Sequence, residues 1–278
     1  MTSSLSKSLI ILTPDGATAG SRAIAVEAPV AIEVNGIGYA VMMMTPAALT
    51  EFATGFMLTE RLADTLADII DIDLFESDRG WIVRVTLAER CAGRIHDRVR
   101  HRTSDTGCGL CGIASLDQVT REVRQCPPPP LVARAALFAA LEGIRTHQPL
   151  NRATGAVHAA ALCDKGGTIV RAFEDVGRHN ALDKLIGALA IDQRDIARGF
   201  LLVTSRISFE MVDKALVAGA PLLAGISAPT TMAIAHAQTH GLTLAALARG
   251  DAILLLNDPH GQFRVVAEEG LEPPTPGL

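Results

Sequence analysis

From Val30 to Met43, apolar and polar positions alternate on either side of Asn35-Gly36, a dipeptide that accepts positive φ, so the pattern predicts a β-hairpin. Thr45 followed by Pro46 then reads as an N-cap with proline in the first helical position. Leu49, Phe52, Phe56 and Met57 fall on one face of a helix ending near Arg61. Ile69 to Phe75 and Trp81 to Leu87 predict a second strand pair, joined through Ser77-Asp78-Arg79-Gly80. Between Glu89 and Gly112 no apolar period is visible. A short helix is expected from Ser115, and the prolines from Pro127 to Pro130 form a stiff connector.

From Leu131 the pattern changes. Helical stretches at 131–146, 177–190, 208–219 and 229–240 alternate with short, continuous apolar runs at 157–163, 168–173, 200–204, 221–226, 242–248 and 252–257. Runs of that kind are the signature of strands buried on both faces, which predicts an α/β fold. We expect an α/β core over residues 131–265, preceded by a smaller N-terminal α+β subdomain over 27–125 that carries a cysteine loop at 103–113. Residues 1–26 read as an N-terminal extension. Residues 266–278, rich in proline and glycine, read as a disordered tail.

Composition narrows the function classes. Of 278 residues, 49% are apolar and 20% charged, a balance that supports a large core in one or two domains. Lys and Arg number 25 against 30 Asp and Glu, a net −5, so no nucleic-acid-tracking or lipid-binding surface is expected, and any polyanion must be met by a local patch. Aromatic residues are only 4%, too few for base-stacking platforms. No apolar run approaches the roughly 18–20 residues of a membrane helix, and Met1 to Thr13 is too weakly apolar for a signal peptide, so a cytoplasmic protein is expected. Five cysteines, an odd number, argue for reduced thiols over a disulfide framework.

One cysteine pair is closely spaced, in Thr106-Gly107-Cys108-Gly109-Leu110-Cys111-Gly112. Thiols at i and i+3 can share a metal, form a disulfide, or hold sulfur as a persulfide. The three glycines favour a thiol that must travel over a rigid cage. A structural zinc site would need a second ligand pair, and Cys91, Cys126, Cys163 and His158 are singly placed, so no metal is expected. Upstream, Arg90, Arg94, Arg98, Arg100 and Arg102 with His96 and His101 could lower a cysteine pKa or pair with phosphate, although such a run can equally be a solvated charged face.

The other candidates lie at strand ends. Glu174-Asp175-Val176-Gly177-Arg178-His179-Asn180, Thr204-Ser205-Arg206-Ile207-Ser208, Ser227-Ala228-Pro229-Thr230-Thr231 and Ala248-Arg249-Gly250-Asp251 each follow an apolar strand. In open α/β sheets ligands bind in crevices at such ends. Arg178, Arg206 and Arg249 are therefore expected to converge on an anion, with His179 beside them. For the first turn the bland alternative is a helix start capped by Asp175. His158, alone on an apolar strand, reads more readily as a core residue than as a ligand.

Taken in order, these stretches resemble the FdhD family of formate dehydrogenase accessory sulfurtransferases. The resemblance rests on Glu27-Ala28-Pro29-Val30 with Val34-Asn35-Gly36, the Thr106 to Gly112 cysteine motif, Val157-His158-Ala159-Ala160 and Glu174 to Lys184. Ser205 to Met211, Ser227-Ala228-Pro229-Thr230 and Leu242 through Arg249 complete it. It implies a cytidine-deaminase-like three-layer core with a mixed sheet, and a homodimer. It also implies a persulfide carrier that accepts sulfur from a cysteine desulfurase and passes it to the molybdenum bis(pyranopterin guanine dinucleotide) cofactor of formate dehydrogenase. By position, Cys108 would carry the persulfide with Cys111 as its partner. Leu247, Ala248, Arg249, Gly250, Asp251 and Ala252 would contact the cofactor, for which GDP or GMP would be a surrogate. A cofactor-binding chaperone and a thiol-disulfide oxidoreductase are the rival classes.

Overall fold

The computed structural model describes residues 2–99, 126 and 128–263; the cysteine loop, the helix expected from Ser115 and the C-terminal tail lie outside the described residues. The stretch expected as an N-terminal extension forms a hairpin, β1 (Ser4–Thr13) and β2 (Gly16–Ala25), paired antiparallel from Ser4 opposite Ala25 to Thr13 opposite Gly16. Its sequence hides it. β2 is built mostly from Gly, Ala, Ser and Thr, and no residue of the two strands is buried, so no buried face imposes alternation.

The expected hairpin forms β3 (Ala28–Val34) and β4 (Ile37–Met44), with Asn35 at φ 49° and Gly36 at φ 78°, the two positive values that a tight hairpin turn requires. With β5 (Ile69–Ser77) and β6 (Gly80–Leu87) these strands make a sheet ordered β4-β3-β6-β5, in which β3 and β6 run parallel. Val30, Ile32, Val34, Val83 and Val85 bury one face of it against Phe52, Ala53, Phe56 and Met57 of α1 (Leu49–Thr59). The helix starts later than expected, because the residue before it is Ala48 in the left-handed region (φ 53°) and Thr45 caps nothing. Thr45 is instead buried, hydrogen-bonded to Asp175, Val176 and Lys184. The region read as aperiodic contains α2 (Ala92–Val99), in which, among the described side chains, Ile95 is buried, with Cys91 buried just before the helix.

The core holds α3 (Arg134–Gly143), α4 (Pro149–Thr154), β7 (His158–Asp164), β8 (Ile169–Asp175), α5 (Arg178–Ile191), β9 (Gly199–Val203), α6 (Phe209–Val217), β10 (Leu222–Gly225), α7 (Thr231–His240), β11 (Thr243–Ala246) and β12 (Leu254–Asn257). The helix expected over 131–146 is thus α3 followed by a 3-10 turn. α4, six residues long, was not expected. The sheet is mixed and ordered β12-β11-β10-β9-β7-β8. β9, β10 and β11 are parallel, while β7 runs against both β8 and β9. Leu162, Leu201, Leu223 and Leu244 face α5, α6 and α7, whereas Cys163, Phe200, Leu222 and Ala245 face α3. Helices therefore cover both faces, which is why the strands read as unbroken apolar runs.

α1 and α5 cross almost in backbone contact. A Cβ on Gly55 would lie 1.8 Å from the Asp183 carbonyl oxygen, and one on Gly187 would lie 1.8 Å from that of Glu51. This crossing fixes the N-terminal sheet on the helix whose first residues are Arg178 and His179. Among the described residues no helix is long and apolar enough to cross a membrane.

Candidate functional site

The strand directions place the C-terminal ends of β8, β9, β10 and β11, and the first residue of β7, along one edge of the core sheet. Main-chain hydrogen bonds tie the turns there to one another. Thr204 donates its N–H to the Ala159 carbonyl (3.0 Å) and accepts the Ala159 N–H on its hydroxyl (2.9 Å). Ile207 donates to the Ala228 carbonyl (3.2 Å), and Thr230 donates to that of Ile207 (3.0 Å). Leu247 donates to the Ser227 carbonyl (3.2 Å), and Arg249 to that of Ala252 (2.8 Å), closing the turn over Gly250 and Asp251. Leu247 sits at φ 48°, a strained value for leucine that the anchoring bonds sustain.

Arg178, Arg206 and His158 come together at this edge. Burial pushes the His158 imidazole below its ordinary pKa, and the guanidinium groups of Arg178 and Arg206 push it further the same way. His179, the next residue along, is driven down to about 3, first by burial and then by Lys214 and Arg178. Three buried atoms here, Arg178 Nε, His179 Nε2 and Ser208 Oγ, have no hydrogen-bond partner among the described residues. The nearest carboxylate oxygen to His179, Glu210 Oε2, is 3.9 Å away, beyond hydrogen-bond reach. Buried polar atoms are nearly always paired, so three orphans on adjoining turns point to a ligand that supplies the partners. Two guanidinium groups, a neutral imidazole and a hydroxyl suit phosphate oxygens and the polar edge of a heterocycle.

Arg249 belongs to the same edge but to its other end. Its turn follows β11, two strands from β9, a separation of roughly 10 Å at the usual strand spacing. Arg249, Gly250, Asp251 and Ala252 are exposed, and Ala248 is buried. The structure thus groups Arg178, His179 and Arg206 closely, with Leu247 to Ala252 as a separate rim. Ser208 belongs to a turn that the sequence singles out, whereas sequence reasoning set His158 aside as a core residue. His158 stands first in its strand and pairs in register with Asp175, a position that would have marked it as an edge residue.

Two of the upstream arginines are spent locally. Arg90 pairs with the buried Asp68 (2.5 Å) and Arg94 holds Asp64 with both terminal nitrogens (2.9 and 2.7 Å), which pins α2 to the loop before β5. Arg90 keeps the Asp68 carboxyl well below the usual range. These two residues therefore support the fold instead of forming a free phosphate patch. His96 to Arg102, like Cys108 and Cys111, lie outside the described side chains. Burial raises all three described thiols, Cys126 to about 11 and Cys163 to about 12, and Cys91 in the same direction. At neutral pH they remain protonated and poor nucleophiles.

The depressed His179 makes a pH prediction. The unfolded chain binds this proton below about 6.5, the folded chain only near 3, so acidification across that window favours unfolding by up to about 1.4 kcal/mol per pH unit. The contribution is complete above the unfolded value and is lost as the pH falls. Denaturant titrations should show that His179→Gln loses less stability than the wild type between neutral pH and about pH 5. Equal losses would remove His179 as a source.

A model of the FdhD/NarQ family matches residues 25–261. The sulfur carrier protein FdhD of Variovorax paradoxus is 43% identical over 236 residues, covering 85% of each chain. That of Bordetella parapertussis is also 43% identical, covering 85% of this chain and 86% of its own. In the fold, a crystal structure from Desulfotalea psychrophila, assigned as a formate dehydrogenase accessory protein, superposes with a TM-score of 0.73. It covers 93% of this chain and 99% of its own, at 23% identity.

Proposed function

This chain belongs to the FdhD/NarQ family, and from that premise we propose that it is a sulfur carrier serving formate dehydrogenase. Its cargo chemistry has two parts. At the cysteine loop, the Cys108 thiolate attacks the outer sulfur of a cysteine desulfurase persulfide. The donor S–S bond breaks, the donor leaves as a thiolate, and Cys108 keeps the sulfur as its own persulfide. Cys111, three residues on, assists the hand-over. At the strand-end crevice the protein holds the acceptor, a molybdenum bis(pyranopterin guanine dinucleotide), by its phosphates and guanine edges. A homodimer working in the cytoplasm accords with this role.

The observation that carries the ligand half is the set of unpaired buried donors beside Arg206 and His158. A net acidic protein that concentrates unpartnered cationic and neutral donors at one sheet edge is built to take an anion there. Titration calorimetry with GDP as the surrogate tests it. Arg178→Ala and Arg206→Ala should each weaken GDP roughly 10- to 100-fold, the value of about 1.5–3 kcal/mol for a charge-assisted contact, and binding should weaken as salt rises. Unchanged affinity in both variants would place the nucleotide elsewhere. GDP binding with no sulfur gained from a desulfurase would instead favour a cofactor chaperone.

A further inference from the structure

The turn that carries Arg178 and His179 is held jointly by its own core and by the N-terminal part of the chain. The Asp175 carboxylate, fully buried, accepts four hydrogen bonds. Oδ1 takes the Gly177 N–H (2.7 Å) and Asn180 Nδ2 (3.1 Å), while Oδ2 takes the Thr45 N–H (3.1 Å) and Lys184 Nζ (2.5 Å). Thr45, from the segment between β4 and α1, closes the arrangement from the other side. Its hydroxyl accepts the Val176 N–H (3.2 Å) and its carbonyl accepts Lys184 Nζ (2.9 Å). Asn180 also donates to the Met43 carbonyl (3.1 Å).

Thr45, Asp175, Asn180 and Lys184 are each at most 3% exposed. Every main-chain N–H from Val176 to Gly177 is therefore committed to this knot, immediately before the two side chains that reach the crevice. Gly177 is needed there, since a Cβ would lie 2.6 Å from Asn180 Nδ2. Asp175 is thus no helix cap. Gly177 occupies the N-cap position of α5 and no side chain caps it.

We propose that Thr45 is a positioning residue for the crevice: through its hydroxyl and main chain, the N-terminal part of the chain clamps the Asp175–Gly177 turn and so sets where Arg178 and His179 point. The ligand consequence rests on the nucleotide reading above, whereas the clamp itself does not. Fixing a charged fork in advance spares the ordering that binding would otherwise require. Thr45→Val keeps the shape and the main-chain bonds but leaves the Val176 N–H without its acceptor. Thr45→Ser restores the hydroxyl.

Hydrogen exchange on the full chain without ligand decides the clamp. Amides 176–180 should exchange at least about fivefold faster in Thr45→Val, as expected for one lost hydrogen bond. β9, β10 and β11 should be unchanged, and Thr45→Ser should return to the wild-type rate. Unchanged exchange in 176–180, or acceleration across the whole core, overturns the clamp. GDP titrations decide its link to the ligand. Thr45→Val should cost about fivefold in affinity in the wild-type background and less than about twofold when Arg178 and His179 are both alanine, the non-additivity of residues acting through one another. An equal loss in both backgrounds overturns the positioning role. A wild-type protein that does not bind GDP overturns the crevice reading, with exchange still deciding the clamp.

Discussion

Replacing Cys108 by alanine is expected to abolish sulfur acceptance and the activation of formate dehydrogenase. The expectation comes from comparing the five thiols. Cys91, Cys126 and Cys163 are held as neutral thiols by burial, and Cys126 also spends its proton on the Ala220 carbonyl (3.0 Å), so none of them offers a thiolate to a donor persulfide. Cys108 and Cys111 alone are flanked by glycines on both sides of the pair, as mobile donors and acceptors require. Intact mass after incubation with a cysteine desulfurase and cysteine reads the result. The wild type should gain one sulfur, Cys108→Ala none, and Cys163→Ala should match the wild type. A sulfur mapped to Cys91, Cys126 or Cys163 would transfer the role to that residue.

The largest stability loss is expected from Lys214→Met. Lys214 lies buried under α1, where its ammonium contacts both oxygens of the buried Asp183 (3.0 and 2.9 Å), the Thr59 hydroxyl (2.8 Å) and Glu60 (3.4 Å). Removing one partner of a buried pair leaves an uncompensated charge and costs about 3–5 kcal/mol. For a chain of this size each kcal/mol moves the melting temperature by about 2–4 °C, so a fall of roughly 10 °C is expected by scanning calorimetry. Asp183→Asn combined with Lys214→Met should recover much of the loss, because neither charge then remains buried alone. As a control, Arg84→Ala, which breaks the exposed pair with Glu33, should change stability by less than about 1 kcal/mol. A Lys214→Met variant as stable as the control would show that Asp183 is not confined as its burial indicates.

Both variants act at places with very different legibility in the chain. Cys108 is conspicuous as a sequence. Lys214 and Asp183 are 31 residues apart on two helices, and nothing in their neighbourhoods announces that they meet. The same contrast runs through the site. The four strand-end turns were legible because each is a polar interruption after an apolar strand, and a sheet buried on both faces forces those interruptions to its edge.

What the amino-acid sequence alone determined is local or periodic. The Asn35-Gly36 turn follows from a dipeptide that tolerates positive φ, the core strands and α5 to α7 follow from apolar runs and 3.6-residue periods, and the family follows from motifs kept in order. Tertiary structure decided the rest. It paired a hairpin with no buried face at residues 4–25, moved the start of α1 to Leu49 so that Thr45 could serve Asp175, and spent Arg90 and Arg94 on Asp68 and Asp64. It also brought His158 from a lone strand position to the side of Arg178 and Arg206. The reason is physical. Propensity and period act over a few residues, whereas burial, ion pairing and the choice of a hydrogen-bond partner depend on which distant segments the packed core brings within a few ångströms.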